Sequence, residues 1–160
     1  MPSVRFRRAR ADDVAAIVAL LVDDPLGKLR EEPSGPLHPA YLGAFEAIDR
    51  DPNQLLAVAD RDGGVIGCLQ LTFIPGLSRR GMWRGQIEAV RVAASARGTG
   101  VGRAMLAWAI DRCRERGCGL VQLTTDKRRA DAHRFYAALG FQATHEGMKL
   151  ALDGPAAAQA

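Results

Sequence analysis

A glycine-rich turn constrains this chain more than any other stretch. Residues 97–102 read Arg-Gly-Thr-Gly-Val-Gly. They follow the predicted strand that ends with Val-Arg-Val at 90–92, after four small residues, and lead into an apolar helical pattern that continues through Met105 and Trp108. The first N–H groups of a helix have no partner within the helix and carry partial positive charge. Glycines let a ligand approach those groups closely, so the turn predicts an anion-binding site.

Two other phosphate-binding motifs do not fit this turn. A dinucleotide-binding fingerprint requires a glycine three positions after Gly100, and Arg103 stands there. A P-loop requires a Gly-Lys-Ser/Thr ending, which the turn lacks. One further interpretation stays open, in which the glycines only make a tight connection between a strand and a helix.

Hydrophobic periodicity and turn residues predict an α+β fold, with a mixed, mostly antiparallel sheet and helices on both faces. The predicted strands are 4–7, 55–60, 65–73, 86–92, 120–125, 141–146 and 148–152, and the predicted helices are 14–21, 41–48, 100–116 and 130–139. We expect residues 1–152 to form a single domain and residues 153–160 to form a disordered tail.

Composition restricts the class of protein. The chain has 160 residues, a formal net charge of +4, only 6% aromatic residues and three scattered cysteines. Few aromatics disfavour nucleic-acid binding, so the positive charge favours a phosphorylated small molecule. Without Cys/His clusters of zinc-ligand spacing, we expect no metal, and the cysteines are expected to be reduced. Without a long apolar run or a secretory signal, we expect a cytoplasmic protein that does not bind a membrane.

Two signatures together resemble the GNAT superfamily of acetyl-CoA-dependent N-acetyltransferases. Residues 97–102 match its Arg/Gln-x-x-Gly-x-Gly/Ala signature. Residues 126–136 read Asp-Lys-Arg-Arg-Ala-Asp-Ala-His-Arg-Phe-Tyr, and residues 139–141 read Leu-Gly-Phe. Many members have Asn-x-x-Arg-x-x-Ala-x-x-Phe-Tyr followed by Leu-Gly-Phe, so Asp126 replaces an asparagine here. The well-matched part covers residues 86–152.

This resemblance implies a GNAT-type fold, acetyl-CoA as the acetyl donor and direct transfer to a primary amine through a ternary complex. It also implies that the strand before the turn binds the pantetheine arm and then splays away from the next strand. The residues expected at the cofactor are Val90, Val92, Arg97, Gly98, Thr99, Gly100, Val101, Gly102, Arg103, Asp126 and Tyr136.

Two residues are catalytic candidates. Glu88 lies on the strand that carries a water-mediated glutamate base in many GNAT enzymes, and regular alternation would place Glu88 and Val90 on one face. The alternative is that Glu88 is only an exposed or ion-paired carboxylate. Tyr136 corresponds to the tyrosine that reaches the sulfur of the coenzyme, and a protonated phenol can donate to a thiolate. The alternative is that Tyr136 is only an aromatic residue of the core. His133 could join a proton relay, but a packing role is favoured.

The acceptor is open at this stage. The resemblance implies that the first two helices and the loop between them form one wall of the acceptor cleft. This wall has an acidic excess, which favours a cationic amine, with carboxylates Asp23, Asp24, Glu31, Glu32, Glu46 and Asp49. The alternative is that these carboxylates are helix caps and solvated surface. A homodimer is also expected from the resemblance. The alternative function is a non-catalytic acyl-CoA sensor or regulatory module.

Overall fold

The structure is a computed structural model that describes residues 3–29, 31 and 35–152. It divides into two compact units, one up to Leu123 and one from Thr124 onwards. The expected tail, residues 153–160, lies outside the described residues. The single domain expected for residues 1–152 stays a prediction.

The first unit is built on a five-stranded sheet in the order β1-β2-β3-β4-β5. Its strands are β1 Val4–Arg8, β2 Gln54–Arg61, β3 Gly64–Ile74, β4 Trp83–Val92 and β5 Cys118–Leu123. The pairs from β1 to β4 are antiparallel, and β4 pairs with β5 in parallel. This confirms the predicted mixed and mostly antiparallel sheet.

Among the residues that the structure describes, four α-helices belong to the first unit and one to the second. They are α1 Val14–Val22, α2 Pro39–Arg50, the single turn α3 Ser78–Gly81, α4 Val101–Glu115 and, in the second unit, α5 Ala130–Ala138. His38 caps α2, because its Nδ1 accepts the backbone N–H of Ala40 at 3.1 Å. Gly117 follows α4 with φ of 74°, as expected for a glycine that ends a helix.

Helices cover both faces of the sheet. On one face, Ile17 and Leu20 of α1 join Leu56, Val58 and Cys68 in a buried apolar cluster. On the opposite face, α4 packs so closely that a Cβ on Gly67 would lie 3.5 Å from Met105 Sδ and one on Gly85 would lie 2.3 Å from Cys113 Sγ. Gly67 and Cys68 are neighbours in β3 and therefore point to opposite faces of the sheet. Because Cys68 packs with α1 and Gly67 lies against α4, the two helices cover opposite faces.

The sheet edge at β1 is held by a buried ion-pair network. Arg7 donates to both carboxylate oxygens of Asp13, at 2.7 and 3.0 Å, and to Asp60 at 2.9 Å. These contacts lower the pKa of both carboxyls below the ordinary value. The carboxylate of Asp13 also accepts from the backbone N–H of Arg10 at 2.7 Å, a contact that caps the short 3₁₀ helix Ala11–Asp13.

The two closing strands predicted at 141–146 and 148–152 are wrong for the described residues, which run from 141 to 152 without a strand. Met148, Leu150 and Leu152 alternate as a strand would, yet they are 95%, 86% and 87% exposed. A strand requires ladder hydrogen bonds to a neighbour, and alternation alone does not supply one. The last backbone hydrogen bond here joins the N–H of Phe141 to the carbonyl of Tyr136.

Candidate active site

The glycine-rich turn leads directly into α4. Gly98 and Gly100 have φ of 75° and 86°, a left-handed conformation that favours glycine. A Cβ at either position would meet no atom within 4 Å, so the space beside the turn is open to a ligand. The first backbone bond into the helix runs from the N–H of Ala104 to the carbonyl of Gly100, which leaves the N–H groups of residues 101–103 without helical partners, whereas the N–H of Thr99 donates to the carbonyl of Ala96 at 3.4 Å. This open cradle of amides fits the diphosphate of a nucleotide cofactor.

Arg97 ties this turn to the end of α1. Its Nε donates to the carbonyl of Val92 at 3.1 Å, and its Nη2 donates to the carbonyl and the carboxylate of Asp23 at 3.0 and 3.1 Å. The guanidinium predicted at a cofactor phosphate thus bonds protein groups in this structure. Its contribution to the cradle is to fix the position of the turn.

A β-bulge interrupts β4 just before the turn. Ala89, with φ of 52°, and Val90 together oppose the single residue Leu69 of β3. The extra residue shifts the alternation by one, so Glu88 and Arg91 face the same side of the sheet, opposite Gln70 and Cys68 respectively. The expectation that Glu88 and Val90 share a face is therefore wrong, because it assumed an unbroken strand.

The edge of β4 that faces β5 becomes open beyond Ile87. Ile87 pairs with Leu123, the last residue of β5, whereas β4 continues to Val92. The N–H of Ala93 bonds the carbonyl of Ile66 on β3, so alternation turns the N–H of Val92 towards the open side. Within the described first unit, this run of β4 has backbone groups available to an extended ligand, as the predicted splay requires.

The second unit holds the other predicted cofactor residues. The carboxylate of Asp126 accepts from the backbone N–H of Arg128 at 2.9 Å and from its guanidinium at 2.9 and 2.7 Å. Asp126 is therefore engaged in a local turn. His133 lies 3.1 Å from the carbonyl of Asp126, in keeping with a structural role. Tyr136 is half-buried between the rings of Phe135 and Phe141, at 5.3 and 5.9 Å.

The carboxylates expected to form an acidic wall have partners wherever the structure describes them. The pairs are Asp23 with Arg97, Asp24 with Arg91, Glu46 with Arg50, Asp49 with Arg8, and Glu31 with the hydroxyl of Tyr41. Glu32 lies outside the described residues. Little unpaired negative charge is left on this wall.

The sheet face that carries Glu88 also carries a polar patch, which the sequence reasoning missed. The patch consists of Gln54, Gln70, Thr72, Arg84, Gln86, Glu88 and Gln122, on four adjacent strands. Gln54 Oε1 accepts from Gln70 Nε2 at 3.0 Å and from Thr72 Oγ1 at 2.9 Å, and Gln122 donates to Gln86 at 2.7 Å. Polar residues at every second position of otherwise apolar strands were the available signal.

Thiol and metal chemistry find no support in the described residues. Burial raises the pKa of Cys68 to about 12 and that of Cys113 to about 11, so both are protonated at neutral pH. The described part of the chain holds no group of three or more side chains suited to a metal ion. None of its helices is both long and apolar enough to cross a bilayer.

Comparisons with known proteins agree with this geometry. The acetyltransferase (GNAT) family model matches residues 12–141. An aminoalkylphosphonate N-acetyltransferase of Salmonella typhimurium is 32% identical over 145 residues, which are 91% of this chain and 89% of that protein. A glucosamine 6-phosphate N-acetyltransferase of Trypanosoma brucei brucei is 34% identical over 90 residues, 56% of this chain and 59% of that protein.

A solved structure with the same fold extends over nearly all of the chain. It is a protein of Bacillus halodurans described as a transcriptional regulator, with a TM-score of 0.91 and 47% identity. The match covers 94% of this chain and 100% of that one, so the shared fold accounts for all of the matched protein. The chain therefore belongs to the GNAT acetyltransferase family and is an acyltransferase that takes its acetyl group from acetyl-CoA.

Proposed function

We propose that the protein transfers the acetyl group of acetyl-CoA directly to the primary amine of a small molecule, with both substrates bound at once. The observation that carries this proposal is the glycine-rich amide cradle at the start of α4, next to the open edge of β4. In this proposal the amides of residues 98–103 bind the pyrophosphate, and Val90 and Val92 bind the pantetheine arm as an added strand would.

Two side chains are proposed to move protons. An alkylammonium has a reference pKa of about 10.4, so the acceptor must lose a proton before it attacks. Glu88 is exposed at the point where β4 parts from β5, and it accepts this proton directly or through water. Acetyl-CoA supplies an activated thioester, and Tyr136 donates a proton to the departing thiolate. The role of Tyr136, in the second unit, rests on the second signature.

The acceptor is proposed to be a small amine that also bears a phosphonate or phosphate. Both named N-acetyltransferases act, by their names, on such amines. The cationic acceptor expected from the acidic wall is less favoured, because the described wall carboxylates are paired with arginines or a tyrosine. A cytoplasmic location is proposed from the three unpaired cysteines. A homodimer stays a prediction, which light scattering would test.

An acetylation assay tests this function. Purified protein is incubated with acetyl-CoA and a panel of aminophosphonates, amino sugar phosphates, polyamines and amino acids, and both free thiol and acetylated product are measured. We expect turnover to be highest with a phospho-bearing amine. Acetyl-CoA binding in calorimetry without turnover of any amine would instead support the acyl-CoA sensor, an alternative that fits the description of the Bacillus halodurans protein.

Two variants separate binding from chemistry in the same assay. Gly100→Asp places a side chain and a negative charge in the cradle, so a folded variant should bind acetyl-CoA far more weakly. Tyr136→Phe should lower kcat by about 10²-fold with little change in acetyl-CoA affinity, because only proton donation is lost. Unchanged acetyl-CoA affinity in Gly100→Asp would remove the turn from the cofactor site.

A further inference from the structure

The two charged members of the polar patch, Arg84 and Glu88, are unpaired. In the part of the chain that the structure describes, neither side chain takes part in a hydrogen bond or an ion pair. Arg84 is half-buried, and a partly desolvated guanidinium without a partner is costly. Both residues belong to β4, four positions apart, and therefore point to the same face of the sheet.

We propose that the polar patch is the acceptor-binding surface and that Arg84 selects the acceptor by binding its anionic group while the amine lies at Glu88. This inference rests on the proposed N-acetyltransferase function and adds to it the residues that determine acceptor specificity. It makes the acceptor a zwitterion whose two charges match the two unpaired charges of the patch.

Arg91 is the other arginine on this face; both of its Nη atoms contact protein groups, and its Nε is buried without a partner. Its Nη1 donates to the carbonyl of Val90 at 2.8 Å, and its Nη2 lies 3.8 Å from the carboxylate of Asp24. Its side chain is only 20% exposed. Arg91 therefore holds the bulge against the end of α1, whereas Arg84 keeps its donors for a ligand.

The glutamines between the two charges suit a polar linker. Each uses one amide atom within the patch, so Gln86 keeps its Nε2 donor and Gln122 its Oε1 acceptor. The outer atoms of Gln54 and Gln70 are likewise unbonded, and none of these atoms is buried from solvent. Neutral amides bind hydroxyl, amide or ether groups without a charge preference. The patch thus offers donors and acceptors along the whole path from Glu88 to Arg84.

The spacing along β4 predicts the length of the acceptor. Four residues of strand separate the Cα atoms of Arg84 and Glu88 by about 13 Å. An acceptor whose amine and anion share one carbon can contact both side chains only if these lean towards each other along the strand, whereas a longer chain or a sugar ring spans them directly. We therefore expect acceptor efficiency to rise with the distance between amine and anion.

A series of ω-aminoalkylphosphonates with one to four methylene groups, together with glucosamine 6-phosphate, tests this inference. In the wild type, kcat/KM should rise with chain length. In Arg84→Gln, kcat/KM for the longest phosphonate should fall by about 30-fold, the size expected for a lost hydrogen bond to a charged group. For butylamine, which lacks the anion, the same substitution should change kcat/KM by less than about threefold.

Two further variants make the outcome decisive. Arg5→Gln removes the same charge from the 70%-exposed arginine at the far edge of the sheet, and it should leave the series unchanged. Arg84→Glu should reverse the preference, so that diamines surpass phosphonates. Calorimetry with acetyl-CoA confirms that each variant is folded.

The two proposals fail in different ways. If the wild type acetylates no amine, the proposed function fails. If the wild type is active but Arg84→Gln lowers turnover of phosphonates and butylamine equally, or of neither, Arg84 is not a specificity residue and the inference is overturned. Highest efficiency with aminomethylphosphonate would contradict the predicted spacing.

Discussion

The two faces of the same sheet differ in what their side chains do. The centre of the face towards α4 is apolar, and Ala57, Ala59, Leu69, Leu71 and Ile87 are at most 2% exposed there. The face towards α1 is apolar only in part. Leu56 and Cys68 are buried there, but the residues two positions away on the same face of their strands are Gln54 and Gln70. One face closes the core, and the other keeps a polar area that folding does not require.

The difference between the two faces indicates which side chains serve function rather than packing. Replacing polar groups with apolar ones on a sheet face generally costs stability little when hydrogen bonds are not left broken. Seven polar side chains gathered beside the strand opening are thus better explained by ligand binding than by folding. Substitutions on the two faces should separate stability from activity.

The largest expected effect is on stability, from the α4-facing side. Leu71→Ala removes a fully buried side chain and should lower the free energy of unfolding by about 2–5 kcal/mol. Its neighbour Gln70 points to the opposite face, so Gln70→Ala should cost only about 1 kcal/mol while lowering kcat/KM for the acceptor. Urea denaturation and steady-state kinetics measure both. Equal loss of stability in the two variants would break the distinction between the faces.

An intermediate effect is expected on turnover at Glu88. Glu88→Gln keeps the shape of the side chain but cannot accept a proton, so kcat should fall by about 10²-fold. Glu46→Gln, at an exposed glutamate of α2, serves as the matched control and should keep wild-type kinetics. If Glu88→Gln retains full turnover, Glu88 is not the base.

The smallest expected effect is the change of Tm with pH near neutrality, which depends on the ion pairs of Arg7 with Asp13 and Asp60. Because Arg7 lowers the pKa of both carboxyls, their contribution to stability is present above the unfolded pKa of about 3.9 and is lost as pH falls through the lower native values. The Tm should therefore change by under about 2 °C between pH 7 and pH 5 and fall steeply below pH 4.

Arg7→Gln should lower the Tm at pH 7 and remove much of the steep acid decline, because the carboxyls no longer gain from ionisation in the folded state. An acid decline as steep in this variant as in the wild type would assign acid sensitivity to other groups. Calorimetric scans from pH 2 to pH 7 make the comparison.

Much of the fold was predictable because local signals agree with it. The turn at Asp62 and Gly63, the glycine after α4 and the helical period of α1 and α4 each specify structure within a few residues. The lack of strands within the described residues 141–152 was not predictable in the same way, since pairing depends on a neighbour that the segment's own sequence does not encode.

The candidate site was predictable only where a motif is contiguous. The amide cradle occupies consecutive residues, and the sequence predicts it by position. The polar patch draws on β2, β3, β4 and β5, and only the register brings Gln54, Gln70 and Gln122 beside Glu88. The bulge at Ala89 has no sequence signal of its own, since alanine seldom adopts positive φ, and it decides that Arg91 rather than Val90 shares the sheet face of Glu88.

A crystal structure with coenzyme A and 4-aminobutylphosphonate tests the central claim most directly. The account predicts that the acceptor lies along β4 on the polar face, with its nitrogen within hydrogen-bond reach of Glu88, directly or through one water, and its phosphonate bonded to Arg84. It also predicts the pyrophosphate at the amides of residues 98–103. An acceptor bound away from the polar patch, with Arg84 and Glu88 free of contacts to it, would contradict the account.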